Sequence, residues 1–242
     1  MCTPIAGKLT PVPRTATFER PVSGGDALLS IGSLLIGAIA VVAAVVLLVG
    51  VFDLNWVLGY AIPLATAVFA VALWQSLSRR GWTWKDLQLT PGPRSLWHLL
   101  WEVPVAWIAA MGVGIALAGA VDIAPASDAG GSASTLDALD VGVVAGTLTI
   151  ACTVLIAPVL EEVLFRRVIF GWFDTRTRWQ IAVLGSAVCF GAVHVLPAIA
   201  LIMVCIGSAA ALLVRLHRSL IPGIALHTMN NALATAAVVA SI

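Results

Sequence analysis

The chain has 242 residues, of which 60% are hydrophobic and only 10% are charged. Soluble domains contain roughly 25% charged residues, and a soluble fold of this length could not bury so much apolar surface. The composition therefore excludes a soluble enzyme and a disordered protein, and it indicates a polytopic membrane protein. The 13 basic and 12 acidic residues form no basic stripe, so we expect no nucleic-acid partner.

The first 26 residues contain Lys8, Arg14 and Arg20 but no adjacent apolar run. We therefore expect residues 1–26 to be a disordered cytosolic segment rather than a signal peptide. Apolar stretches near the roughly 20 residues of a membrane-spanning helix then follow. They cover residues 27–52, 56–77, 96–121, 141–173, 179–195, 197–214 and 219–242.

These stretches predict an all-α, polytopic transmembrane helical bundle of about seven spans. Residues 27–121 form a unit of three N-terminal transmembrane helices. Residues 122–139, which contain Gly, Ser and Asp, are predicted to be an exposed outer loop. Residues 140–242 form a second unit, in which the polar residues of the membrane region are concentrated.

The distribution of charge orients this arrangement. With seven crossings, all 13 basic residues fall on or just inside one side, and the other side carries only acidic residues. Because basic loops stay in the cytosol, we expect an integral protein of the plasma membrane with a cytosolic N-terminus and an outer C-terminus.

The second unit carries polar side chains within its apolar stretches, at Glu161, Glu162, His194, His227 and Asn231. An ionisable group inside a bilayer is costly and is by default a functional hypothesis. At 1.5 Å per helical residue, Glu161 and His194 each lie roughly 20–25 Å from the loop between their helices. Groups from three helices are thus predicted to meet in a polar catalytic cavity within the membrane.

Helical spacing suggests a role for each residue. Glu162 and Arg166 are four residues apart and predict a mainly structural ion pair, which leaves Glu161 free to act as a base. His227 and Asn231 share one helix face. A packing role for His194 and a helix-bonding role for Asn231 stay open as alternatives.

These residue types are suited to hydrolysis of a peptide bond. A carboxylate and an imidazole can deprotonate a water molecule, and an imidazole with a carboxamide can donate hydrogen bonds to an oxyanion. Glu161, His194 and His227 could alternatively hold a single Zn²⁺ ion with an open water position. The sequence leaves both versions open, one without a cofactor and one with a divalent metal. His217, between Arg215 and Arg218, is predicted to be a solvated residue of the cytosolic side.

Three short blocks resemble the motifs of a known protease family. They are E-E-V-L-F-R at 161–166, F-G-A-V-H at 190–194 and H-T-M-N-N at 227–231. They are similar to the E-E-x-x-x-R, F-x-x-x-H and H-x-x-x-N/D motifs of the CPBP (Abi) family of type II CAAX prenyl proteases and bacteriocin-processing or immunity proteins. The resemblance covers roughly residues 140–240, and one departure is Arg167, where many members have Gly.

The resemblance implies catalytic roles for Glu161 and His194 on water, an oxyanion site at His227 and Asn231, and a supporting pair at Glu162 and Arg166. We therefore expect an intramembrane endopeptidase, of metallo- or glutamate type, that acts on membrane-associated or CAAX-like peptides or proteins in the lipid bilayer. The alternatives are a transporter or proton relay and a non-catalytic immunity or scaffold protein. A protease needs its polar groups around one point, whereas a relay strings them along the membrane normal. The sequence identifies neither the substrate nor the oligomeric state.

Overall fold

The computed structural model describes residues 16–121, 130–194 and 196–241; for residues 130–134 it describes the backbone only. Within these ranges the chain forms nine helices and no strand. The helices are α1 (Gly24–Leu48), α2 (Leu54–Gly59), α3 (Ala61–Ser78), α4 (Leu99–Ala120), α5 (Gly130–Val141), α6 (Val143–Asp174), α7 (Trp179–Ala192), α8 (Pro197–His217) and α9 (Ile221–Val239). The predicted all-helical bundle is confirmed.

Five helical segments in the described ranges are long and apolar enough to cross a membrane. They are α1, α3, α6, α8 and Leu96–Ala120, which contains α4. The predicted fifth span is shorter, because α7 has 14 residues and extends only about 21 Å. The predicted last span corresponds to the 19 residues of α9, whose apolar character is reduced by His227, Asn230 and Asn231.

Arginine side chains connect the loops at one end of the bundle. Arg80 pairs with Asp26, Arg215 lies 3.5 Å from Asp174, and the Arg218 guanidinium donates to the Thr17 carbonyl oxygen. The first turn of α1, the last turns of α3 and α6 and the α8–α9 turn therefore meet there. We call this the basic end.

The segment that precedes α1 is ordered where the structure describes it, which corrects the prediction of disorder across residues 1–26. Residues 16–23, here called the N-terminal strap, bury the side chains of Phe18 and Val22. The Thr17 backbone N–H donates to Asp174 Oδ2 at 2.8 Å. The two apolar side chains can leave water only by packing on the bundle, and the many Thr and Pro residues concealed this signal. Residues 1–15 lie outside the described residues.

Arg167 fastens this strap to α6. Its guanidinium lies between the rings of Phe18 and Trp82, 4.6 Å from each centroid. It donates to the carbonyl oxygens of Asp86 and, at 3.0 Å, Arg20. A fully buried arginine is thus matched by carbonyl acceptors and aromatic faces.

The loop between α3 and α4 is held in place by the same contacts. Burial raises the pKa of Asp86, but hydrogen bonds from Thr83 and the charge of Arg20 outweigh that effect, and the pKa is lowered overall. The charged carboxylate caps the short helix Trp84–Leu87 through the Thr83 N–H and hydroxyl. It also pairs with Arg20 at 3.1 Å.

The outer loop predicted for residues 122–139 contains α5, which begins at Gly130. Thr135 and Ala138 are buried one turn apart, and Gly59 in α2 lies so close that an added Cβ would be 2.8 Å from Val141 Cγ2. Gly59 in α2 and Ala138 in α5 thus allow close packing of two short helices. Residues 122–129 lie outside the described residues.

Candidate active site

The two adjacent glutamates lie near the middle of α6, between two widened helical segments. Cys152–Ile156 and Val163–Phe170 are π-helical and flank Ala157–Glu162. Pro158 lacks an N–H group and interrupts the regular ladder, a common cause of such widening. The Glu162 side chain is fully buried, whereas 26% of the Glu161 side chain is exposed. Neighbouring carboxylates therefore occupy very different environments.

Glu162 is held by two partners. Arg166 Nη1 lies 3.1 Å from Glu162 Oε1, and His227 Nδ1 lies 3.2 Å from the same oxygen. A carboxylate that pairs with a guanidinium can only accept hydrogen bonds, so His227 Nδ1 carries the proton. Glu162 thereby fixes the orientation of the His227 ring. The spacing of the sequence predicted the arginine contact but not the histidine contact.

The His227 ring then presents its second nitrogen to the other glutamate. His227 Nε2 lies 3.6 Å from Glu161 Oε2, beyond hydrogen-bond distance. Glu161, Glu162 and His227 thus form one continuous polar group between α6 and α9.

Glycines allow the neighbouring helices to approach this group. A Cβ added at Gly223 of α9 would overlap Glu162 Oε2, and one added at Gly207 of α8 would lie 3.2 Å from Arg166 Nη2. The Arg166 guanidinium also lies 4.3 Å from the centroid of the Phe190 ring. The ion pair is therefore enclosed by α7, α8 and α9.

His194 follows the last residue of α7 by two positions and is half-buried. Its Nδ1 lies 3.0 Å from the Phe190 carbonyl oxygen, which can only accept, so Nδ1 carries a proton. The rings of His194 and His227 both pack edge-on against Phe190, at centroid distances of 5.0 and 5.2 Å. In the described part of the chain no hydrogen bond or ion pair joins His194 to Glu161.

Asn231 lies beside Glu161 in the wall of one cavity. Its amide nitrogen donates to the Thr153 carbonyl oxygen at 2.9 Å, and its Oδ1 accepts from Asn230 at 3.2 Å. Asn230 Oδ1 in turn accepts from Trp107 Nε1 of α4 at 3.0 Å. Because an amide nitrogen has two N–H groups, Asn231 keeps one for a further acceptor. The link to Trp107 had no signal in the spacing of the sequence.

The cavity has a volume of about 330 Å³, within the range of small-ligand sites. Its polar lining residues are Glu161, Asn231, Thr66 and Thr153, and its apolar ones are Val41, Ala61, Ile62, Ala65 and Ala157. Neither histidine belongs to this lining. The structure therefore brings Glu161 and Asn231 into one space and places His227 against Glu161 from behind.

The predicted metal ligands do not form a metal site as they stand. In the residues that the structure describes, no three His, Cys, Asp or Glu side chains are close enough to hold an ion together. Glu161 and His227 are close, but His194 is not grouped with them.

The second half of the chain matches one protein-family model. Residues 143–233 match the model of the Rce1-like type II CAAX prenyl endopeptidases. These residues form an Rce1-like domain. The domain begins with α6 and includes all the predicted site residues, and the expected family resemblance is confirmed. No curated protein and no solved structure matches the chain. The Rce1-like domain supports a protease, and the apolar helices with this domain indicate an integral membrane protein.

Proposed function

We propose that the protein is an intramembrane endopeptidase in which Glu161 activates the attacking water. The observation that carries this proposal is the difference between the two glutamates. Glu162 is fully buried and paired with Arg166 and His227, whereas Glu161 faces the cavity and has only the His227 ring beside it, at 3.6 Å. A base must reach its water, and only Glu161 is exposed to a space that can hold one.

In the proposed reaction, Glu161 takes a proton from water, and the oxygen attacks the carbonyl carbon of the peptide bond. The carbonyl π electrons move to its oxygen, which becomes the oxyanion of a tetrahedral intermediate. When the intermediate collapses, the carbon–nitrogen bond breaks, and the proton held by Glu161 passes to the leaving amine. No covalent enzyme intermediate is needed.

Two side chains are proposed to stabilise the oxyanion. Asn231 offers its second N–H, and its orientation is fixed by Thr153 and Asn230. His227 can donate from Nε2 only as an imidazolium, because Nδ1 already carries a proton toward Glu162. A donor that is held in place before the reaction stabilises the developing charge most effectively.

His194 is proposed to orient the same water through its free Nε2. This role requires the turn after α7 to approach Glu161 when substrate binds, since catalytic hydrogen bonds are often long before substrate is present. Glu161 and Asn231 line one cavity, and His227 lies 3.6 Å from Glu161, which supports a protease over a proton relay, whose groups would be spread along the membrane normal. Membrane-associated or CAAX-like peptides are the proposed substrates.

The experiment compares Glu161→Gln with Glu19→Gln, which changes an exposed glutamate of the N-terminal strap. Both variants should reach normal levels in the membrane. Membranes that contain Glu161→Gln should accumulate uncleaved substrate proteins, which mass spectrometry detects. Loss of a base removes turnover and leaves substrate binding largely intact. Equal substrate profiles in the two variants would contradict the role of Glu161.

Metal analysis of the same preparations decides the cofactor. Active protein without bound zinc supports the version without metal. Stoichiometric zinc that is lost in His194→Ala and His227→Ala would instead assign these side chains as ligands.

A further inference from the structure

The route to Glu161 from the basic end is closed. Every residue of the π-helical segment Val163–Phe170 exposes at most 5% of its surface, and Arg166 and Arg167 expose none. The N-terminal strap covers this segment, with Phe18 packed edge-on against Phe170. A substrate therefore cannot reach the cavity along α6 from the basic end without displacing the core.

The cavity opens toward the other ends of α1 and α3. Helices α1 and α3 are antiparallel, since Gly25 approaches Arg80 and Gly37 approaches Phe69. The cavity is lined by Val41, late in α1, and by residues 61–66, the first turns of α3. Its entrance therefore lies in the half of the bundle away from the basic end.

A second, apolar groove continues from the cavity in that direction. Its volume is about 160 Å³, and Val41 and Ala61 line both spaces. The remaining lining residues are Ala44, Val45, Leu48, Trp56, Val57, Tyr60 and Leu64, all apolar apart from the tyrosine hydroxyl and the tryptophan N–H. We call this second space the apolar groove.

Stacked aromatic rings mark the far end of the apolar groove. Phe52 stacks on Trp56 at 4.9 Å, and Trp56 lies 4.8 Å from Tyr60. Trp and Tyr are enriched where a membrane meets water. The groove thus extends from a membrane surface inward to the cavity that contains Glu161, within the membrane leaflet opposite the basic end.

We propose that the substrate is an apolar, membrane-embedded segment that enters between α1 and α3 from the bilayer half opposite the basic end and presents its scissile bond to Glu161. The inference rests on the proposed protease function. The apolar lining and its continuity with the cavity favour such a segment over a water-soluble tail at the basic end, which would meet buried arginines and aromatic rings. The substrate is then cut within the membrane half that contains the apolar groove.

Two alanines provide a matched test. Ala44 lines the apolar groove, and Ala72 lines a separate groove between the same two helices nearer the basic end. Both are half-buried. The probe is a synthetic peptide of one apolar transmembrane helix in liposomes that contain the protein. A fluorophore and a quencher flank the half of the peptide that lies in the leaflet opposite the basic end, so cleavage in that half raises the fluorescence.

Ala44→Trp fills the apolar groove and should lower kcat/KM for this peptide by about tenfold, mainly through KM. Ala72→Trp should stay within about twofold of the unchanged protein. Equal effects of the two substitutions would overturn the entry route.

A second measurement separates this inference from the proposed chemistry. A photo-crosslinking amino acid is placed at position 44 or at position 72 in Glu161→Gln, and the same peptide is added. Preferential crosslinking at position 44 supports the entry route even if the unchanged protein fails to cleave the peptide, a result that would contradict only the protease proposal. Equal crosslinking at both positions overturns the entry route whether or not cleavage occurs.

Discussion

Replacing Arg166 by methionine tests the most deeply buried charge of the candidate site. The substitution keeps an unbranched side chain in α6 but leaves Glu162 fully buried without its guanidinium. Breaking a buried ion pair on one side costs about 3–5 kcal/mol. His227 Nδ1 would still donate to the same carboxylate oxygen, at 3.2 Å in the unchanged protein. We therefore expect a loss near the lower limit, about 3 kcal/mol, out of a typical total of about 5–15 kcal/mol.

The assay is a double-mutant cycle. The free energy of unfolding is measured in mixed detergent and SDS micelles for the unchanged protein, Arg166→Met, Glu162→Gln and the double variant. Because the double variant leaves no unpaired charge, it should be more stable than the sum of the two single effects predicts, with a coupling of about 2 kcal/mol. Additive losses would refute the buried pair as the source of stability. If Arg166→Met folds normally and loses only turnover, Arg166 belongs with the reacting groups.

Further variants examine the packing, the oxyanion site and the orientation. Gly223→Ala should prevent accumulation of folded protein, because its Cβ would overlap Glu162 Oε2 and lie 2.8 Å from Val214 Cγ2, whereas Gly32→Ala, with open space around it, should be neutral when both are compared by size-exclusion chromatography. Asn231→Ala should lower kcat by about 10²–10³ with normal folding, and an unchanged kcat would remove Asn231 from the oxyanion site. We propose that the basic end faces the cytosol, so a reporter fused after Ile242 should be active outside; cytosolic activity would reverse this topology.

Hydrophobicity alone predicted the helical class and most spans, because apolar length is a local property of the sequence. The Glu162–Arg166 pair could also be predicted from the sequence, since helical spacing places the two side chains together. Both inferences depend on residues that are close in the chain.

Contacts between residues far apart in the chain could not be predicted from the sequence. The prediction of a solvated His217 is wrong: its side chain is buried and its Nε2 lies 2.6 Å from Glu102 Oε2, a residue 115 positions away. Arg94 forms an ion pair with the same carboxylate. Neighbouring charges in the sequence indicated solvent, but tertiary packing supplied a buried carboxylate partner that no local pattern encodes.

In the candidate site, too, local placement could be predicted from the sequence, whereas long-range contacts could not. The sequence predicted that Glu161, His194, His227 and Asn231 meet. The structure places Glu161 beside both His227 and Asn231, but it shows no hydrogen bond or ion pair between His194 and these residues in the described part of the chain. The orientation of each side chain depends on acceptors from elsewhere, such as the Thr153 carbonyl of a π-helical segment. Such backbone acceptors leave no trace in residue identity.

The Arg167 contacts impose an order on the assembly of the protein during synthesis. The Arg20 carbonyl oxygen and the Arg167 guanidinium that binds it are separated by 147 positions. The strap therefore leaves the ribosome long before Arg167 of α6 is synthesised. It stays without this contact while the first helices insert into the membrane. Contacts across so large a separation close late in folding. Binding of the strap therefore requires that α6, which carries Glu161 and Glu162, is already in place, so docking of the strap is a late step in the folding of this protein.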